Sequence, residues 1–129
     1  MLNVIGGDLG LLILRLSMGS MMFFSHGLGK LLNFSTYSQT FPDPLGIGST
    51  VSLVLCVVAE FFAPLLLSIG FASRVAALIL AVNMFVAGVI IHAPDPFAKK
   101  ELAFLYLTFA LCLFLTGPGK YSVDSKIKG

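Results

Sequence analysis

The run LVLCVVAEFFAPLLL at residues 53–67 places one carboxylate, Glu60, inside an otherwise apolar segment. A charge in such surroundings is costly unless it is paired, protonated or in contact with water. The apolar segment extends from about residue 48 to residue 69, and about 20 such residues cross the hydrocarbon core of a bilayer. The run therefore predicts a membrane-spanning helix that carries an ionisable group.

The composition of the whole chain also indicates a membrane protein. Of its 129 residues, 57% are hydrophobic and only 11% are charged, and the mean hydropathy is +1.00. A soluble domain carries roughly 25% charged residues, and a small chain has a large surface to cover with polar groups. A soluble fold would therefore expose too much apolar surface. The net charge of +2 is small and scattered, so we expect no nucleic-acid partner.

Four apolar segments divide the chain, which we interpret as a single membrane domain over residues 1–129. The predicted spans cover about residues 8–32, 48–69, 73–92 and 100–116. Since the backbone must satisfy its own hydrogen bonds in hydrocarbon, and the alternating pattern of barrel strands is absent, the spans are predicted helices. The first lacks preceding basic residues and a clear cleavage site, so we interpret it as a helix rather than a signal peptide. The predicted fold class is all-α, an integral membrane four-helix bundle.

An even number of spans places both termini on the same side of the bilayer. The basic residues predicted on that side are Arg74, Lys120, Lys126 and Lys128, against Lys30, Lys99 and Lys100 on the other. The positive-inside rule then favours cytoplasmic termini. We expect a multi-pass membrane protein.

Arg15 and Glu60 are predicted to form a buried ion pair. At a rise of about 1.5 Å per residue they lie roughly 10 Å and 13 Å from the terminal side, so antiparallel neighbours would bring them together. The pair could set the register of two helices, or it could mark a proton or substrate site. Asn83, near the middle of the third span, could join this network or bond a neighbouring helix.

A second polar group is predicted near the opposite membrane face. His26 and Lys30 share a stripe with Arg15 on the first helix, while His92 closes the third span and Glu101 opens the fourth. Histidine titrates near neutral pH, so a group of His and Glu suits proton transfer. The alternative is that these side chains only anchor helix ends. The candidate catalytic residues are His26, His92 and Glu101; the candidate ligand-binding residues are Lys30, Arg15, Glu60 and Asn83.

Neither a disulfide nor a metal site is predicted. Cys56 and Cys112 are expected about 20 Å and 6 Å from the terminal side, whereas a disulfide needs Cα atoms within about 7 Å. The two histidines and Glu101 are metal-ligand types but lack the tight spacing of a zinc motif.

Three stretches of the chain resemble the DoxX family of small four-helix bacterial membrane proteins. They are LRLSMGSMMFFSHGLGKL at residues 14–31, AEFFAPLLLSIGFASRVAAL at residues 59–78, and ELAFLYLTFALCLFLTGPGKYSVD at residues 101–124. The resemblance also includes His92 and covers nearly the whole chain. It implies a membrane subunit or enzyme linked to quinone-dependent oxidation of sulfur compounds or to redox homeostasis, similar in plan to the DoxD-type subunit of thiosulfate:quinone oxidoreductase.

Three functions are compatible with these residues. The first is a quinone-linked redox component, in which a quinone binds near the two histidines while the buried pair relays protons. The sequence has no haem, flavin or iron–sulfur motif, so any other cofactor would belong to a soluble redox enzyme. The second is a small proton-coupled transporter, built as a homo-oligomer. The third is a non-catalytic membrane scaffold for a soluble enzyme.

Overall fold

The computed structural model describes residues 2–128, and the chain is 79% helical with no strand in that range. We number its helices α1 (residues 2–32), α2 (Phe34–Tyr37), α3 (Ser49–Ile69), α4 (Ser73–Ile91), α5 (Phe97–Thr116) and α6 (Val123–Lys128). Three of them contain a π-helical turn, at Phe23–Gly27 in α1, Val58–Phe62 in α3 and Val86–Ile91 in α4.

Three helices are long and apolar enough to cross a membrane: Gly6–Leu32, Ser49–Ile69 and Ser73–Ile91. This confirms the predicted all-α membrane class. Helix α5 has 20 residues, but Lys99, Lys100 and Glu101 lie in its first two turns. Its uncharged part is therefore shorter than the about 20 residues of an ordinary span. The fourth span stays a prediction, as do the bounds of the spans.

The core lies where the four long helices meet. Helix α4 packs along α5, and α1 packs on the second half of α3. The buried side chains between them include Met22, Leu67, Leu80 and Phe109. Many large apolar side chains on the outer faces remain exposed in the isolated chain, as expected where a helix faces lipid. The bundle is thus held together by a narrow inner seam, and its outside suits a bilayer.

Two glycines let α1 approach α3 closely. A Cβ at Gly27 would overlap the carbonyl group of Glu60, and one at Gly19 would overlap the Ser68 hydroxyl. Gly29, by contrast, has no atom within 4 Å of such a Cβ. Small residues at helix contacts permit this approach in membrane proteins. Gly27 therefore fixes where α1 meets the Glu60 turn.

The long connection between α2 and α3, which we call the roof loop (residues 38–48), is pinned by Asp43. The Asp43 carboxylate accepts hydrogen bonds from the N–H groups of Ile47 at 2.9 Å and Gly48 at 2.8 Å, and from the Ser52 hydroxyl at 3.0 Å. These donors, the Gly48 N–H first among them, hold the pKa of Asp43 below its ordinary value. The loop is therefore anchored to the start of α3.

Candidate functional site

Arg15 lies at the end of the bundle where both termini are found, and it is fully buried. Its guanidinium donates hydrogen bonds to the carbonyl oxygens of Leu67 at 3.2 Å, Ser68 at 3.0 Å, and Tyr121. The first two carbonyls belong to the last turn of α3, where the partial negative charge of a helix favours a cation. Arg15 thus ties the C-terminal segment to α1 and α3.

The C-terminal segment is tied a second time by Asp124. Its carboxylate accepts hydrogen bonds from the N–H groups of Ala72 at 2.8 Å and Ser73 at 2.9 Å, which open α4. Its own N–H donates to the carbonyl oxygen of Gly70 at 2.9 Å. We call Arg15, Gly70, Tyr121 and Asp124 the terminal cluster. Most of its hydrogen bonds end on backbone groups, as is typical of a structural element.

The predicted Arg15–Glu60 ion pair is wrong. Arg15 lies level with Leu67 and Ser68, about two helical turns from Glu60 at 3.6 residues per turn. The prediction assumed that α1 and α3 end at the same level on the terminal side, but α1 begins at Leu2, well before the predicted start. The two terminal nitrogens of Arg15 donate to carbonyl oxygens instead of a carboxylate, and the buried Nε makes no hydrogen bond to the described residues.

The partner of Glu60 is Lys30. The Lys30 Nζ lies 2.6 Å from Glu60 Oε1, and the Asn83 amide donates to Oε2 at 2.8 Å. The thiol of Cys56 in turn donates to the Asn83 carbonyl oxygen at 3.4 Å. We call Lys30, Glu60, Asn83 and Cys56 the inner cluster. Both Glu60 oxygens therefore accept a hydrogen bond, one from the Lys30 amine and one from the Asn83 amide.

The inner cluster forms part of the wall of a cavity of about 810 Å³ between α1, α3, α4 and α5. His26, Lys30, Glu60, Asn83 and His92 all reach it, so the structure brings five of the seven predicted site residues together. The rest of the wall is mainly apolar and includes Met22 and Tyr106. Arg15 and Glu101 do not line this cavity.

The two histidines occupy different surroundings. His26 is half-buried, packs edge-on against the Tyr106 ring with centroids 6.1 Å apart, and makes no hydrogen bond to another described residue. His92 lies at the end of α4, where its Nδ1 is 2.8 Å from Asp95 Oδ2. This contact keeps the pKa of Asp95 below its ordinary value. The carboxylate beside His92 is thus that of Asp95 and not that of Glu101, and Glu101 is exposed.

The π-helical turns coincide with the polar residues. His26 lies in the turn of α1, Glu60 lies in the turn of α3, and His92 follows the turn of α4 directly. The sequence gives one signal for the turn of α3, since Pro64 has no N–H to donate to the Glu60 carbonyl. In this turn the Ala63 N–H donates to the Val58 carbonyl oxygen. Turns of this kind are frequent at functional sites.

Within the described range no group of three or more His, Cys, Asp and Glu residues could hold a metal ion. Cys56 is half-buried and Cys112 is exposed, and both are free thiols. The polar groups that line the cavity are therefore two amines, one carboxylate, one amide, one thiol, two imidazoles, one hydroxyl and one phenol, from Lys30, Lys99, Glu60, Asn83, Cys56, His26, His92, Ser52 and Tyr106.

Comparison with known proteins places this chain in a family. The DoxX family model matches residues 10–93. The chain is 30% identical to "Inner membrane protein YqjF" of Escherichia coli (strain K12), over 91% of each chain. It is 32% identical to an uncharacterized protein of Haemophilus influenzae (strain Rd), over 96% of this chain and 87% of the relative. It is 28% identical to "Putative oxidoreductase CatD" of Bacillus subtilis (strain 168), over 91% and 86%. No solved structure matches the chain. The chain belongs to the DoxX family.

Proposed function

We propose that this DoxX protein is a quinone-linked redox component of the bacterial inner membrane, and that the cavity beside the inner cluster holds the quinone head group. The observation that carries the proposal is the Lys30–Glu60–Asn83 cluster at the wall of a mainly apolar cavity of about 810 Å³. That volume is within the about 300–1,000 Å³ of ordinary small-molecule sites. The name of one relative, "Putative oxidoreductase CatD", supports the same class.

The polar groups suit a neutral ligand that accepts hydrogen bonds. Lys30 has three N–H donors, of which one is used on Glu60, and His26 uses neither ring nitrogen on the described residues. The Lys30 and Glu60 charges offset each other, so the cluster does not by itself demand a charged ligand. The carbonyl oxygens of a quinone fit such donors, and its ring fits the apolar wall.

The same groups can handle protons. Reduction of a quinone to a quinol takes up two electrons and two protons. His26 can exchange a proton through its ring nitrogens, one a donor and one an acceptor in the neutral imidazole, and the Glu60 carboxylate is a second acceptor once Lys30 turns toward the ligand. The electrons would come from a soluble redox enzyme bound at the membrane surface. We place both termini in the cytoplasm and α5 as the fourth span.

The proposed site therefore comprises His26, Lys30, Glu60 and Asn83, with His92 nearer the roof loop. Arg15 is assigned to structure, and Glu101 is left outside the site. This assignment differs from the expectation drawn from the sequence, in which Glu101 belonged to the catalytic set.

The test is to purify the chain in lipid nanodiscs and to identify any quinone that is extracted with it. Binding of a short-chain ubiquinone is then titrated for the wild type and for Glu60→Gln and His26→Ala. We expect both variants to lose at least about tenfold in affinity, equivalent to about 1.4 kcal/mol. Glu101→Gln, as the matched control, should bind like the wild type.

Two results would refute the proposal in favour of the other functions. Absence of quinone binding together with proton-dependent uptake of a solute into proteoliposomes would indicate a transporter. Absence of quinone binding together with stoichiometric co-purification of a soluble redox enzyme would indicate a scaffold.

A further inference from the structure

The arrangement of α3 and α4 has a feature that neither the family nor the inner cluster explains. The two helices are packed together near their short link, where Ala63–Ile69 contacts Ser73–Phe85. Toward the other end the first half of α3, Ser49–Val57, is not packed along α4 and touches it at the Cys56–Asn83 hydrogen bond. The two helices therefore diverge like the arms of a V.

The cavity lies in this gap and reaches the outside of the bundle. Leu55 on α3 and Val82 on α4 both line the cavity, yet they are 51% and 58% exposed in the isolated chain. Leu78 and Ile79 likewise line the cavity and are exposed in the isolated chain. Side chains that line a cavity and also face outward stand at the rim of an opening. We call this rim, formed by Leu55, Leu78, Ile79 and Val82, the lateral opening.

The end of the cavity that is nearest to the aqueous phase is covered by another part of the chain. The roof loop contributes apolar side chains to the wall, namely Phe41, Pro42, Pro44, Leu45 and Ile47. Asp43 fixes this loop to α3 through three hydrogen bonds. Leu45 and Ile47 are 57% and 44% exposed and the exposed Lys99 also lines the cavity, so the loop does not seal this end. A strongly hydrated ligand arriving from water would nevertheless have to pass apolar side chains of a loop that is held in place.

From these observations we infer that the ligand enters sideways from the lipid phase, between α3 and α4. The ligand class is a membrane-dissolved amphiphile whose compact polar head meets the inner cluster while an apolar tail extends through the lateral opening into the bilayer. The inference rests on the proposed function for the identity of the head group. The route itself depends only on the lateral opening and the roof loop.

The native thiol of Cys56 provides a reporter inside the cavity. It lines the cavity behind the lateral opening, and the exposed Cys112 can be removed as Cys112→Ser. In proteoliposomes of the Cys112→Ser protein, the rate of Cys56 alkylation is compared for N-dodecylmaleimide dissolved in the bilayer and for a membrane-impermeant sulfonated maleimide. Labelling after unfolding in detergent gives the total reactive thiol.

Two further variants test the route. Val82→Trp fills the lateral opening from α4, and Leu55→Trp fills it from α3 should the first variant fold poorly. Val89→Trp is the control, because Val89 lies on the same helix, is 41% exposed and does not line the cavity. The chain has no native tryptophan, so fluorescence of the introduced indole verifies the folded state.

We expect the bilayer-dissolved reagent to alkylate Cys56 at least about tenfold faster than the impermeant one, and Val82→Trp to remove most of that advantage, a change equivalent to about 1.4 kcal/mol in barrier height. The control variant should keep the wild-type rate. Equal labelling by the two reagents, or no effect of either filling variant, would overturn the inference. Protection of Cys56 from both reagents would also overturn it, because the opening would then be covered, for example by a second copy of the chain.

This test is independent of quinone binding. A failed quinone titration with rapid lipid-phase alkylation would refute the proposed head group and retain the route. A successful quinone titration with equally fast alkylation from water would support the proposed head group and refute the lateral route.

Discussion

The two ends of the bundle hold buried charge in opposite ways. In the terminal cluster, Arg15 is fully buried and donates to three carbonyl oxygens. In the inner cluster, Glu60 is also buried, but its partners are the side chains of Lys30 and Asn83, and these line a cavity. Backbone acceptors hold Arg15 in one place, whereas side-chain partners can rotate. Burial alone therefore does not mark a functional residue; the nature of its partners does.

The largest expected effect tests the structural end. Arg15→Met removes the side-chain donor from the carbonyl oxygens of Leu67, Ser68 and Tyr121. Leu67 keeps the Gly70 N–H at 3.2 Å, but each buried group that is left unsatisfied costs about 1–3 kcal/mol. We expect a loss of at least about 3 kcal/mol in the free energy of unfolding, measured in detergent by reversible denaturation. The C-terminal segment should also become sensitive to protease.

The control for that variant is Arg74→Met, which removes an exposed arginine and should change stability by less than about 0.5 kcal/mol. Equal destabilisation by the two changes would show that Arg15 has no special structural role.

A double-mutant cycle on Lys30 and Glu60 tests the inner cluster separately from the terminal cluster. Lys30→Met or Glu60→Gln alone removes one partner of the buried pair, whereas the double variant removes both. We expect a coupling energy of about 1–3 kcal/mol from the unfolding free energies. The same cycle on Arg15 and Glu60 should give additive effects within about 0.5 kcal/mol. Coupling between Arg15 and Glu60 of the same size would contradict the partner assignment.

A steric prediction addresses how α1 is positioned against the inner cluster. Gly27→Ala would push a methyl group into the Glu60 carbonyl, and such overpacking typically costs about 1–3 kcal/mol. The melting temperature and the affinity for quinone should both fall. Gly29→Ala meets open space and should leave both unchanged, or stabilise slightly because alanine favours a helix. Similar losses for the two variants would show that helix propensity rather than the contact is responsible.

The smallest effect is expected at the roof loop. The pKa of Asp43 is lowered in the folded state, so its contribution to stability is present above the ordinary pKa and is lost as the pH falls through the lowered value. Hydrogen exchange of the Ile47 and Gly48 amides should accelerate over that acidic range, with the core amides unaffected. Asp43→Asn should show the faster exchange already at neutral pH. A roof loop whose exchange does not respond to either change is not pinned by Asp43.

The sequence predicts the class of fold from its apolar runs, because helix formation in lipid follows from backbone hydrogen bonding alone. It also predicts that Arg15, His26 and Lys30 share one face of the first helix. Lys30 follows His26 by four residues, and His26 follows Arg15 by about three helical turns. The sequence does not predict which side chains pair between helices. Glu60 pairs with Lys30 rather than Arg15 because α1 extends well past the end of α3. Nothing in the local sequence of either helix indicates that their ends lie at different levels. The Asp95 contact of His92 likewise depends on the local path of a loop with two prolines.

The π-helical turn at Phe23–Gly27 has a consequence for how family members should be aligned. A π-helical turn is equivalent to one extra residue inserted into an α-helix. Because the wide turn absorbs that residue, deletion of Phe24, which is 67% exposed, would leave an uninterrupted helix whose two parts keep their relative orientation. Lys30 would still face Glu60. A relative with a one-residue gap at this place in its first helix is therefore expected to keep this ion pair, provided that both residues are retained.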